Sequence, residues 1–382
     1  MQNERENKYI YYLFVICILE VYVLPKNLLD SFGFMLHTAI FAGYILLSYI
    51  IILCRSKTIG VCELMLLVGI IFNIFIRRQI NSIILLTPVI VNRCVRKNDL
   101  NYIVKIMLNS KWIDFALFMI VLYSLYGYFI EKNRFFISSA IGEENFTGIS
   151  IIILALIYYK RNHFLAYIVF GIGFLTLSRN YVLAVICIVI FNNKSIKKAI
   201  KKIYKKVSFF IVLVISSGLL YILGLVSIRL YKLGVIAFYT SLKDRLHNFF
   251  DLSNYARFST NYFYIQSILN SPIKLFTGQS MNEFQKAALQ IAKKDGVIYR
   301  GNGLHNYALS YLMNYGIAAV FCFIITSKVI KDYTTEHNFY IFVVLSLYAI
   351  FLSAGPAGYW LVLFVFLMIL YQHGEHEYKM TK

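Results

Sequence analysis

Residues 208–227 read SFFIVLVISSGLLYILGLVS, twenty positions without a charge, and they lead directly into the one long polar interruption of the chain, Ile228 to Leu304. A helix rises about 1.5 Å per residue and the hydrocarbon core of a bilayer is about 30 Å thick, so about 20 apolar residues make one crossing. The polar stretch ends at His305-Asn306, at the mouth of the next apolar run. Its 77 residues are too many for a structureless connection in a compact protein. It is expected to fold and to carry the chemistry.

Outside that stretch almost everything reads as lipid-embedded helix. Hydrophobic residues make up 59% of the 382, charged residues only 15%, and the mean hydropathy is +0.67, which excludes an ordinary soluble domain. Windows of crossing length fall at 9–24, 34–53, 59–76, 79–92, 112–130, 146–159, 164–178, 180–191, 208–227, 305–327, 338–353 and 357–371. Long apolar runs with charged breaks favour helices over a barrel, whose segments alternate over about ten residues. The expected fold is an all-α polytopic membrane protein of about 12 transmembrane helices with one long, partly helical extracytoplasmic loop. Helices 1–9 occupy 1–227, the loop 228–304, and helices 10–12 with a cytoplasmic tail 305–382.

The net charge of +20 is unevenly placed. With both termini in the cytoplasm, the cytoplasmic segments hold 22 Lys and Arg and the short outer segments 6, the asymmetry that sets membrane orientation. The densest run, Lys194 to Lys206, has apolar residues at helical spacing and suits anionic headgroups; with no base-stacking module beside it, nucleic acid is not an expected partner. The first apolar segment lacks a small-residue cleavage site and is followed by Pro25 and Lys26, so it is expected to stay as a span. Cys17, Cys54, Cys62, Cys94, Cys187 and Cys322 all lie in spans or at cytoplasmic ends, which argues against a disulfide framework or a Cys-based zinc site.

On the outer side, Arg179 sits in Leu175-Thr-Leu-Ser178-Arg179-Asn180, a polar cluster in a hairpin of Leu, Ile, Val and Phe. Snorkelling explains an Arg at such a depth, and so does an anionic ligand. Arg77-Arg78 occupies another short outer turn. In the loop, apolar residues at Tyr255, Phe258, Tyr262, Ile265 and Leu269 predict a helix over 254–270 stopped by Ser271-Pro272, and a second period predicts one over 281–294. Arg257 is expected on the first turn of the first helix, where the dipole favours anions over cations. The loop carries ten Lys and Arg, Arg245 among them, against four acids, a balance that suits a phosphate-bearing substrate. His305 enters the next span after Gly301-Asn-Gly303, and a neutral imidazole there suits a general base for a sugar hydroxyl. Gly316-Ile317 allows close helix packing. Glu131, Glu143 and Glu144 lie outside, but their spacing indicates no acid/base pair, and no Asp-x-Asp metal pair occurs in the outer segments.

The Ser178-Arg179 hairpin, Ala256-Arg257 leading to Ser271-Pro272 and Phe276-Thr-Gly278, and His305-Asn306-Tyr-Ala-Leu309 followed by Gly316-Ile317 together resemble the O-antigen ligase and Wzy polysaccharide polymerase family. The motifs occur in the family's order over roughly Phe164 to Ala319. Asn180 and Tyr181 stand where small residues are usual, Ser280 where a second loop glycine is common, and Ala318 or Ala319 where a glycine often follows.

The resemblance implies polymerisation of undecaprenyl-diphosphate-linked repeat units into capsular or surface polysaccharide, on the outer face of the plasma membrane and without a metal or other cofactor. Arg179 and Arg257 would hold the diphosphate, and His305 would orient or deprotonate the acceptor hydroxyl. Asn306 would fix its tautomer, and Ser178, Asn180, Asn306, Arg245, Arg77 and Arg78 would bind substrate. A flippase and a chain-length regulator are the protein partners such a polymerase would have. An O-antigen-ligase-type transferase differs only in its acceptor. A lipid-linked oligosaccharide flippase should show two related halves and ionisable residues at mid-span; a membrane sensor should carry a cytoplasmic output domain. Only the second half of this chain has a long outer loop, and no cytoplasmic output domain is expected from its segments.

Overall fold

The computed structural model describes residues 2–23, 34–95, 104–105, 107–130, 144–176, 178–236, 252–300, 304, 306–351 and 359–380. Among them the chain is all-helical, with no strand. In order come α1 (Gln2–Tyr22), α2 (Phe34–Ser56), α3 (Val61–Phe75), a 3-10 helix (Ile80–Leu86), α4 (Thr87–Val95), α5 (Lys111–Phe129), α6 (Glu144–Arg161), α7 (His163–Phe174) and α8 (Arg179–Asn192). There follow α9 (Lys194–Ile200), a 3-10 turn (Tyr204–Lys206), α10 (Phe209–Lys232), α11 (Leu252–Asn270), α12 (Ile273–Thr277), α13 (Met281–Asp295), α14 (Tyr307–Tyr315), α15 (Ile317–Tyr333), α16 (Phe339–Phe351) and α17 (Tyr359–Met380).

Among the described residues, α5 and α10 are long and apolar enough to cross a membrane, and further apolar helices of 10–17 residues surround them. Two of the windows expected to be single crossings are broken. The 79–92 window opens as a 3-10 helix, because Pro88 has no N–H with which to continue an α-helical ladder from the turn before it. The 305–327 window is cut at Gly316 into α14 and α15.

Helix faces are sorted in a way that water does not select. The inward face of α10 carries Ser216, Gly224 and Ser227 beside Leu213 and Leu220, while Ile211, Val214, Ile215, Leu219, Ile222 and Val226 stand exposed. In α5 the buried stripe is Ile113, Ala116, Ile120, Ser124 and Gly127, with Phe118, Leu122 and Phe129 outside. In α3, Gly69 and Asn73 face in and Leu64, Val68, Ile71 and Phe75 face out. A soluble helix hides its large aliphatic side chains; small residues inside and large ones outside is the pattern of helices packed in hydrocarbon, where close backbone approach drives association. The approach is tight where α3 meets α15, since a Cβ on Gly69 would lie 2.7 Å from that of Ala318. Helices α6 and α17 are buried on all sides over 149–158 and 361–371 and form the centre.

Several polar groups inside this apolar frame are paired. Glu63 accepts from Tyr49 at 2.6 Å and from Arg93 Nη2 at 2.5 Å, and Arg93 also donates to the Thr58 carbonyl and Ser56. Asp114 accepts from Tyr158 at 2.7 Å and Arg161 at 2.8 Å. Tyr181 on α8 donates to the Phe170 carbonyl of α7 at 2.6 Å, its ring lying where a side chain on Gly173 would be.

The expected loop helices are α11 and α13, and they share a second core. Tyr264 packs edge-on to Phe284, which meets Tyr299, which meets Phe263, with Ala288 and Ala292 buried beneath. Helix α11 lies antiparallel against α10. Tyr255 stacks on Tyr231, the Phe258 carbonyl and Tyr262 close over Gly224, and Gln266 donates to the Tyr221 hydroxyl at 2.8 Å. This register makes α10 a ruler for the heights of the candidate residues.

Candidate active site

Two helix N-termini converge on the last turn of α16. Ser178, buried, caps α8 by accepting from Tyr181 N at 3.3 Å, and Arg179 is the first residue of that helix and exposed. Tyr181, one turn inward, lies within electrostatic reach of Tyr348 on α16. Asn306 caps α14: its Oδ1 accepts from Leu309 N at 2.9 Å, and its Nδ2 donates to the Ile350 carbonyl of α16 at 3.3 Å. The Ser217 hydroxyl of α10 approaches the same Oδ1 at 3.5 Å. A helix N-terminus carries a partial positive charge; at α8 the exposed Arg179 adds to it, whereas the N-terminus of α14 is buried over 306–309.

The positions of the expected residues divide into those the fold gathers and those it separates. Ser178, Arg179, Asn180 and Asn306 share the α16 end of the bundle. Asn306 is fully buried with both ends of its carboxamide engaged, and it builds the start of α14. His305 and Arg245 lie outside the described residues.

Arg257 stands apart. Helix α11 begins at Leu252, which puts Arg257 in the second turn and half-buried. The α10 register sets it between Gly224 and Tyr231, seven to fourteen residues beyond Ser217, hence roughly 10–20 Å along the axis from Asn306. Its side chain also tilts toward the start of α11, away from Asn306.

Arg77 serves the frame. Its Nη1 donates to the Asn314 carbonyl at the C-terminus of α14 and lies over Gly278. Gln79, with its amide oriented to satisfy both neighbours, donates to the same carbonyl at 2.7 Å and accepts from Arg77 Nη2 at 3.3 Å. A cation on the last carbonyls of a helix is a C-terminal cap, and burial lowers the Arg77 pKa without threatening its charge at neutral pH. Arg78 is exposed at φ 54° in the turn and touches none of this.

Gly316 and Gly278 are pressed together. Both have positive φ, 58° and 69°, and a Cβ on Gly316 would meet the Phe276 carbonyl and lie 2.6 Å from the Gly278 nitrogen. The Gln279 N–H donates to the Met313 carbonyl across this junction at 2.8 Å. The close packing expected at Gly316-Ile317 is thus loop backbone on helix end, joining α12 and the start of α13 to α14 and α15. Gly316→Ala is expected to cost about 2–3 kcal/mol from backbone strain and overlap together, read as a lower unfolding midpoint in detergent. An unchanged midpoint would mean that the junction does not hold α12 and α13 to the bundle.

Helix α13 opens with a capping box in which the Ser280 N–H donates to Glu283 at 2.7 Å and Glu283 N donates to Ser280. The Ser280 N–H, then its hydroxyl, holds the Glu283 carboxyl below its usual pKa. A depressed carboxyl stabilises the folded state above its unfolded pKa, and that contribution is lost as pH falls through the folded value. Hydrogen exchange of the first turn of α13 should therefore accelerate in acid below the usual carboxyl range in the wild type, with a weaker pH dependence in Glu283→Gln.

Sequence reasoning passed over one set of polar residues. Asn261 is 0% exposed and neither atom of its amide has a hydrogen-bond partner among the described residues; the Tyr264 hydroxyl and the Gln279 Oε1 are likewise buried without a partner among them. Leaving such a group unpaired costs about 1–3 kcal/mol, and native proteins keep few of them. The signal was legible as Asn254, Arg257, Asn261 and Tyr264, a polar stripe at i, i+3, i+7 and i+10 in an aromatic helix.

Compared with protein-family models, with curated proteins and with solved structures, the chain matches none.

Proposed function

We propose that this chain is a polytopic membrane glycosyltransferase of about twelve spans that joins undecaprenyl-diphosphate-linked repeat units into a capsular or surface polysaccharide on the outer face of the plasma membrane. The observation that carries the reading is Arg179, exposed at the first position of α8 where that helix opens beside the end of α16. The ordered motifs from Ser178-Arg179 to Gly316-Ile317 support it, and the outward aliphatic faces of α3, α5 and α10 support a bilayer setting.

In this reading the donor diphosphate sits at the α8 N-terminus, where the Arg179 fork neutralises charge that grows as the glycosidic bond breaks. An acceptor hydroxyl attacks the anomeric carbon from the opposite face; the C–O bond to the diphosphate breaks, undecaprenyl diphosphate leaves, and the hydroxyl proton passes to His305. The guanidinium and the α8 dipole supply the positive charge, so the transfer needs no metal. Arg257, farther along α10, meets the glycan side of the substrate.

The test is genetic and chemical together. Cells without this protein should accumulate single lipid-linked repeats on the outer leaflet and lack long polysaccharide, and the wild-type gene should restore the chains. Repeats trapped on the inner leaflet would identify a flippase instead.

A further inference from the structure

We propose that the polar stripe of α11, Arg257, Asn261 and Tyr264, is a carbohydrate subsite that holds the glycan of the lipid-linked substrate, with the Asn261 carboxamide pairing to sugar hydroxyls. The inference rests on the polymerase reading and deepens it by naming what grips the sugar.

Three observations carry it. The Asn261 amide is fully buried with neither its donor nor its acceptor partnered among the described residues, and the buried Tyr264 hydroxyl and Gln279 Oε1 repeat the pattern. These groups sit along one line. Arg257, Asn261 and Tyr264 follow at i, i+4 and i+7, so they share a helix face over about 10 Å. Gln279 is tied to the same helix, its Nε2 donating to Ser267 at 3.1 Å, and Arg77 lies within electrostatic reach of Tyr264. The chemistry then selects the ligand. A neutral carboxamide offers two donors and an acceptor, a phenol offers one of each, and a guanidinium offers a fork, which is the set that pairs with vicinal hydroxyls. The line is also displaced along α10 from Asn306, which shares the end of α16 with the α8 N-terminus where the diphosphate is assigned, as a glycan leading away from its lipid must be.

Binding separates this inference from the reading beneath it. The full-length protein in nanodiscs is titrated with two probes: undecaprenyl-diphosphate-linked repeat units extracted from the source cells, and bare undecaprenyl diphosphate. Asn261→Leu and Tyr264→Phe are compared with the wild type. Tyr264→Phe removes one oxygen and keeps the ring on Phe284, so it preserves the fold even where Asn261→Leu does not. Both variants are expected to bind the glycan-bearing lipid about tenfold more weakly, the bare lipid equally, and to unfold at or above the wild-type temperature, because each loses an unpaired buried polar group. Variants that bind the glycan-bearing lipid as the wild type does would overturn the subsite and leave the polymerase reading intact. A wild type that binds neither probe would overturn both.

Discussion

Arg179→Ala is expected to slow chain growth by about 10²–10³-fold, the usual loss when one preorganised charge-stabilising group is removed from a transition state. The protein itself should accumulate normally. Arg179 is exposed at the first position of α8, and the Ser178 side chain caps that helix independently of it. Arg179→Lys should recover only part of the rate, since an ammonium replaces a planar fork by a point charge. Gel ladders of surface polysaccharide at graded expression levels read both effects. Wild-type chain lengths in Arg179→Ala at low expression would remove Arg179 from the chemistry.

The largest effect on stability is expected far from the site, at Glu63. Its carboxylate and the Arg93 guanidinium are 9% and 13% exposed and 2.5 Å apart. Removing one member of such a pair leaves the other buried and uncompensated, at about 3–5 kcal/mol. Glu63→Ala should therefore lower the unfolding midpoint in detergent more than any other single substitution considered above, and Glu63→Leu combined with Arg93→Met should recover much of the loss. A double variant no better than the single would show that Ser56 and the Thr58 carbonyl, which also receive Arg93, matter more than the charge pair.

How much of this was legible in the sequence depends on the range over which each feature is determined. The helix over 209–232 follows from composition alone, and α11 and α13 follow from a local apolar period, with Ser271-Pro272 and the Ser280–Glu283 box marking their ends. The break at Gly316 does not, because within an apolar run the glycine looks like a packing residue; what imposes its positive φ is the Phe276 to Gly278 backbone, about forty residues earlier. Arg77 looked like a ligand for the same reason. Its partner, the Asn314 carbonyl, lies 237 residues away.

The candidate site divides along the same line. Ser178 and Asn306 were recognisable as small polar residues opening apolar helices, yet their task is to cap those helices, which turns the N-termini toward α16. The distance between Arg257 and Asn306 is set by the register of α11 on α10, through Tyr231, Gly224 and Tyr221, and no local pattern encodes it. The stripe through Asn261 was present as spacing but was hidden by counting only apolar positions.

The central claim, metal-free transfer between lipid-linked glycans, is tested most directly with the purified wild-type protein in liposomes. Undecaprenyl-diphosphate-linked repeat units are supplied in buffer containing EDTA, and the products are resolved by length. The account predicts a ladder of lengthening glycans together with release of undecaprenyl diphosphate, unchanged by the chelator. Repeat units that remain single, or a ladder that vanishes with EDTA and returns with a divalent cation, would contradict it.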